Sequence, residues 1–131
     1  MPGAHSLRGG GRIADSDAPV PVLIHGFLGF SRLGGLEYFR GVQRQLAGLG
    51  VTPVIPQLPP LDSVRERAEA LAAILAQHKA REFVLFGHST GGLDARYLCA
   101  HLDPARRVKA VVTVGTPHLG SAEAAMMLSR W

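Results

Sequence analysis

A chain of 131 residues fits one domain, long enough to bury roughly two thirds of the surface its unfolded form exposes. Apolar residues make up 47% and charged residues 18%, which excludes the low-hydrophobicity, high-charge signature of disorder, and no apolar run reaches membrane-spanning length. The net charge of +4 comes from scattered basic residues without interleaved aromatics or a reading helix, so no nucleic-acid partner is expected; the densest cluster, Arg106-Arg107-Val108-Lys109, reads as a solvated loop before a strand.

Residues 1–18 read as a flexible N-terminal tail and residues 19–131 as the folded domain. The tail has no apolar core of the ~7–15 residues that a secretory signal needs, so the chain as it stands is expected to be cytoplasmic. Residues 20–25, "VPVLIH", form an apolar run ending at Gly26, as a buried parallel strand does. After a glycine-rich loop, Leu36, Phe39, Val42, Leu46 and Leu49 recur at helical spacing, and Gly50 closes the stripe. Residues 51–55, "VTPVI", predict a second strand, placed at a sheet edge because Pro53 cannot donate to a ladder.

Ser63 with Glu66 is a capping-box pattern. Behind it, Val64, Ala68, Leu71, Leu75 and His78 line one face of a helix predicted to run to about residue 79. A third strand is predicted at residues 83–86, followed by a helix to about His101 in which Cys99 is expected to act as a small buried hydrophobe. The fourth strand is predicted at residues 110–114. Strands alternating with helices imply an α/β fold, a parallel sheet with helices on both faces.

The richest chemistry lies in "FVLFGHSTGGLDARY", residues 83–97, where an apolar run climbs into Gly87-His88-Ser89-Thr90-Gly91 and then turns helical. A serine hydroxyl attacks only from an exposed position and with a base to take its proton. Gly-x-Ser-x-Gly between strand and helix supplies that position, because a side chain at either glycine would collide with the neighbouring strand or helix; it is the nucleophile-elbow signature. The backbone N–H of Thr90 then offers one oxyanion donor, and the loop after the first strand, His25-Gly26-Phe27-Leu28-Gly29, offers a second through Phe27 N–H.

The segments "VLIHGFLGF", "EYF", "LDSVRERAEAL", "FGHSTGG" and "VGTPHLGS" resemble, in order and spacing, the bacterial triacylglycerol lipases of the α/β-hydrolase superfamily, over about residues 19–125. The resemblance matches Ser89 to the nucleophile and Phe27 and Thr90 to the oxyanion residues. It also implies a sheet of about four strands in the order 51–55, 20–25, 83–86, 110–114, a partial α/β-hydrolase fold. The family's acid and base follow later strands, in the chain order Ser, Asp, His. Residues 19–131 are therefore expected to be a truncated domain without the matching Asp, His or calcium site, and no cofactor is expected.

Among local residues, His88 is expected to pack beside the first strand and His25 to shape its loop, and His101 and Asp94 lie too far along the helix to serve Ser89. His118 is the one candidate for a makeshift base, against a reading in which it orders its loop; the nearby acid is Glu123. The expected function is carboxylic-ester hydrolysis through an acyl-enzyme on lipophilic acylglycerol esters, with Leu28, Phe30 and Leu119 beside the acyl path. The alternatives are a non-catalytic product or interaction partner, and a related acyltransferase or thioesterase. An unpaired 110–114 edge would also template self-association.

Overall fold

The computed structural model describes residues 18–26 and 39–122. The expected tail, the loop carrying Phe27, Leu28 and Phe30, Leu36 of the first helical stripe, and Glu123 lie outside the described residues. Six elements follow in chain order: β1 (Val20–Ile24), α1 (Arg40–Gly48), α2 (Val64–Ala76), β2 (Phe83–His88), α3 (Gly91–His101) and β3 (Val108–Val114). The strands form a parallel sheet in the order β1-β2-β3, with Val22 opposite Leu85 and Leu85 opposite Val111.

Four paired strands were expected, and three form. The segment 51–55 contributes a single bridge, Val22 to Val54, in which Val54 N–H donates to Pro21 C=O and Leu23 N–H donates to Val54 C=O, both at 2.9 Å. A parallel ladder continues two residues away in each direction. Toward the C-terminus the next donor would be residue 56, and toward the N-terminus it would be residue 21; both are proline and carry no N–H. Pro21 and Pro56 cut the strand to one bridge.

The core lies on one face of the sheet. Val22, Ile24, Phe83 and Leu85 alternate toward Ala68, Leu71 and Leu75 of α2 and Ala95 and Leu98 of α3, all buried. The opposite face carries Leu23, Val84, Phe86, Val112 and Val114, of which the last two are 42% and 55% exposed. Helices on both faces were expected, yet α1 buries none of its residues: Val42 is half exposed and Leu49 lies largely in solvent. Its end nevertheless follows the glycine signal, since Gly50 at φ 73° lets Gly50 N–H reach Ala47 C=O and Val51 N–H reach Leu46 C=O, a Schellman motif.

At the start of α2 the capping box is present in both directions. Glu66 N–H donates to Ser63 Oγ at 3.3 Å, and Ser63 N–H donates to Glu66 Oε2 at 2.9 Å. The helix stops at Ala76, earlier than expected, and His78 leaves its face to stack edge-on with Phe83. The Ser63 bonds hold the Glu66 carboxyl below its usual range. A depressed folded-state value gives stability that is complete above the unfolded carboxylate range and lost as pH falls through the lowered value. Ser63→Ala is expected to lower the thermal midpoint at neutral pH and to flatten its acid-side fall between about pH 5 and about pH 3, read by circular dichroism. An unchanged midpoint and slope would remove the box from the stability of α2.

The basic cluster is not a solvated loop. Arg107 reaches back to donate to Leu75, His78 and Ala80 carbonyls at the end of α2, while its guanidinium lies 4.8 Å from the Phe83 ring centroid. It satisfies carbonyls that a helix end leaves open. Lys109 pairs with Glu82 across the β2–β3 boundary at 3.0 Å. Cys99, expected inside, is exposed, because the buried face of α3 runs through Gly91, Gly92, Asp94, Ala95 and Leu98 and leaves residue 99 one step round the helix. Among the described residues no helix is long and apolar enough to cross a membrane.

Candidate active site

Ser89 stands between the last residue of β2 and the first turn of α3 with φ 54°, a left-handed conformation that costs a non-glycine residue roughly 1–2 kcal/mol. Its surroundings enforce it. Ser89 N–H donates to Val114 C=O at 2.8 Å, and the Thr116 hydroxyl donates to Ser89 C=O at 2.8 Å. Both backbone groups of the serine are thus fixed by the end of β3 and the turn beyond it. Gly92 N–H and Asp94 N–H then close the first turn of α3 on Ser89 and Thr90 carbonyls.

The two elbow glycines meet the neighbours expected of them. A Cβ on Gly87 would fall 2.5 Å from Gly92 Cα and 2.6 Å from Gly91 C, inside the helix backbone. One on Gly91 would fall 2.5 Å from Ile24 C=O oxygen, inside β1. Helix, elbow and first strand therefore touch backbone to backbone, and the crossing brings the loop after β1 against the serine: the Cα hydrogen of Gly26 points at Ser89, where a Cβ would lie 2.8 Å from Ser89 Cβ and 3.3 Å from Ser89 Oγ. Gly26 is the residue before Phe27, whose own position lies outside the described residues. Thr90 caps α3, with its backbone already in the helical region.

His25 shapes this loop. It is buried, its Nδ1 lies 2.9 Å from Gly26 C=O oxygen, and its Nε2 accepts from Leu58 N–H at 3.4 Å, an arrangement that assigns the proton to Nδ1. His88, in contrast, is exposed at the end of β2 on the face away from the core. His118 sits with Nδ1 at 2.9 Å from Arg96 Nη1 and Nε2 at 3.0 Å from Thr113 Oγ1. A guanidinium only donates, so Nδ1 accepts and Nε2 carries the proton toward Thr113. Both ring nitrogens are thereby turned to α3 and β3. Leu119 is fully exposed.

Beneath the elbow lie Asp94, read from the sequence only as too far along the helix to serve Ser89, and Arg67, which the sequence did not single out. Arg67 and Asp94 are 2% and 0% exposed, and Arg67 Nε and Nη2 both stand 2.9 Å from Asp94 Oδ2. Burial pushes the Asp94 carboxyl up, and the Arg67 guanidinium pulls it back. The signal was present: Arg67 falls on the apolar stripe of α2 and Asp94 on that of α3, one opposite charge on each buried face. Among the described residues Ser89 Oγ makes no hydrogen bond to a histidine or carboxylate, and no three His, Cys, Asp or Glu side chains converge as metal ligands.

The family model for the alpha/beta hydrolase fold matches residues 19–130. A triacylglycerol lipase of Vibrio cholerae is 37% identical over 107 residues, covering 79% of this chain and 34% of the relative. Triacylglycerol lipase 2 of Saccharomyces cerevisiae is 34% identical over 101 residues, covering 70% and 31%. The crystal structure of the mature Bacillus licheniformis lipase BlEst2 superposes with a TM-score of 0.74 at 29% identity, over 89% of this chain and 48% of that one. The chain spans about a third of the length of the curated relatives it matches.

Proposed function

The chain belongs to the α/β-hydrolase fold family, and from that premise we propose that it carries the nucleophile and oxyanion side of a carboxylic-ester hydrolase of triacylglycerol-lipase type. The observation that carries this reading is Ser89 itself: a strained residue at φ 54°, its backbone bonded on both sides, with Gly26 packed on its side chain. Strain over-determined by its surroundings is a mark of a built site.

In the proposed reaction Ser89 Oγ adds to the ester carbonyl carbon while its proton passes to a base, and the carbonyl electrons move to oxygen. Thr90 N–H and Phe27 N–H hold that oxyanion, and the positive end of α3 faces it. Collapse expels the alcohol, which takes the proton, and water then releases the acid from the acyl-serine. The base and acid are those the resemblance puts after later strands; His118, with its nitrogens on Arg96 and Thr113, is read as ordering its loop. Lipophilic acylglycerols are the proposed substrates, by likeness to relatives named as triacylglycerol lipases.

Activated-ester hydrolysis and covalent labelling by an alkyl fluorophosphonate test this with the 131-residue chain. Without a base on Ser89 the expected rate is at most ~10³–10⁴ above the uncatalysed one, the level left by oxyanion stabilisation and binding alone. Ser89→Ala should abolish labelling and leave that background ester hydrolysis in place, and His118→Ala should change neither signal. Labelling that survives Ser89→Ala would overturn the assignment, and loss with His118→Ala would make that histidine a working base.

A further inference from the structure

One buried guanidinium ties together the elbow helix, the start of the first strand's loop at His25 and the loop before α2. Besides Asp94, Arg67 donates from Nη2 to His25 C=O at 2.8 Å and from Nη1 to Pro59 C=O at 2.8 Å. Asp94 belongs to the first turn of α3, five residues after the serine; His25 directly follows β1 and precedes Gly26, which packs on Ser89; Pro59 belongs to the loop whose Leu58 N–H holds the His25 ring. We propose that Arg67 and Asp94 act as a positioning pair, locking His25 and Gly26 after β1 to the elbow helix so that Gly26 and Thr90 keep their place relative to Ser89.

The proposal rests on the hydrolase reading above and adds to it a coupling that runs through side chains outside the reacting centre. Stability alone does not account for the pair. Both charges are withdrawn from water, and Asp94 Oδ1 has no hydrogen-bond partner among the described residues. A buried ion pair with an unsatisfied oxygen contributes less to folding than apolar side chains of the same volume commonly do. What apolar side chains cannot do is fix a carbonyl. The planar fork of Arg67 sets the His25 C=O oxygen and the Asp94 carboxylate at fixed distances from one rigid group, which Lys would not reproduce with a single ammonium. The His25 carbonyl is also where a side chain on Gly91 would collide, at 2.8 Å, so the clamp acts where strand and helix are already in contact.

The test compares the native chain with Arg67→Lys and with the double variant Arg67→Met/Asp94→Leu, which removes both charges together and so leaves neither unpaired. Fluorophosphonate labelling of Ser89 is followed at several reagent concentrations to separate the limiting rate from the half-saturating concentration. Amide exchange is followed in parallel by mass spectrometry for the segment 23–26 and for the middle of α2. The expected result in both variants is a limiting rate lower by ~10- to ~100-fold with the half-saturating concentration little changed, the signature of displaced rather than missing groups. Exchange should rise at 23–26 and stay slow in α2. Native labelling kinetics in the double variant would overturn the proposal. If the native chain fails to label at all, the hydrolase reading falls, and the exchange data still decide the clamp: protection at 23–26 equal to native would overturn it.

Discussion

A single methyl group at position 87 is expected to remove a large share of the domain's stability. In Gly87→Ala the new carbon would lie 2.5 Å from Gly92 Cα and 2.6 Å from Gly91 C, and both obstacles are helix backbone rather than a side chain that can swing aside. The first turn of α3 would have to move off β2. That turn holds Asp94 on Arg67 and is followed by Ala95 and Leu98 in the core, so the displacement opens the packing that joins both helices to the sheet. Overpacking ordinarily costs ~1–3 kcal/mol, and an unyielding backbone puts this site at or above the upper end. Against a total stability of roughly 5–15 kcal/mol, such a loss leaves a small domain largely unfolded under mild denaturant. Gly41→Ala is the control: nothing lies within 4 Å of its Cβ, and the residue is in α1, so it should gain ~0.5–1 kcal/mol. Urea unfolding followed by circular dichroism compares the two. A Gly87→Ala chain within about 1 kcal/mol of native would show that β2 and α3 are less closely held than their contact implies.

The elbow could be foreseen because its signals are local. An apolar run, two glycines around a serine and a following helical pattern each follow from chain sterics within a few residues. The same holds for the Ser63–Glu66 box and for Gly50. What escaped notice depends on partners far away in sequence. Arg67 looks like one more polar residue until Asp94, His25 and Pro59 are seen around it. Arg107 looks like part of a charge cluster until the open carbonyls at the end of α2 are seen beside it. Thr116, which holds the Ser89 carbonyl, lies in the "TPH" segment that the resemblance flagged without giving the threonine a task. The shortening of the edge strand also depends on distant partners: Pro21 and Pro56 each remove a donor, one from each segment at opposite ends of the bridge, and that follows only once the register of Val54 against Val22 is known.

The 131-residue chain is expected to self-associate through β3, and the effect should dominate its behaviour in solution. Among the described residues β3 pairs with β2 on one side only, so Val108–Val114 is the edge of the sheet. An edge of this length presents unpaired N–H and C=O groups, and the usual protections are weak here: it contains no proline, and its one charge, Lys109, is engaged with Glu82 near its start. Val112 and Val114 add exposed apolar surface beside that edge, on the sheet face away from α2 and α3. A second copy of the chain offers the same strand, so two β3 edges can pair across a two-fold axis and join their exposed faces in one step. Val112→Lys should oppose this by placing a charge at the middle of the strand, where pairing would bring two such charges together. Val112 is already 42% exposed, so the substitution should leave the core intact. Size-exclusion chromatography with light scattering, run over a range of micromolar concentrations, should show native dimers or larger species that rise with concentration and a Val112→Lys chain shifted toward monomer. A native chain that stays monomeric throughout, or a variant that associates as strongly as native, would mean that β3 is not the surface through which copies meet.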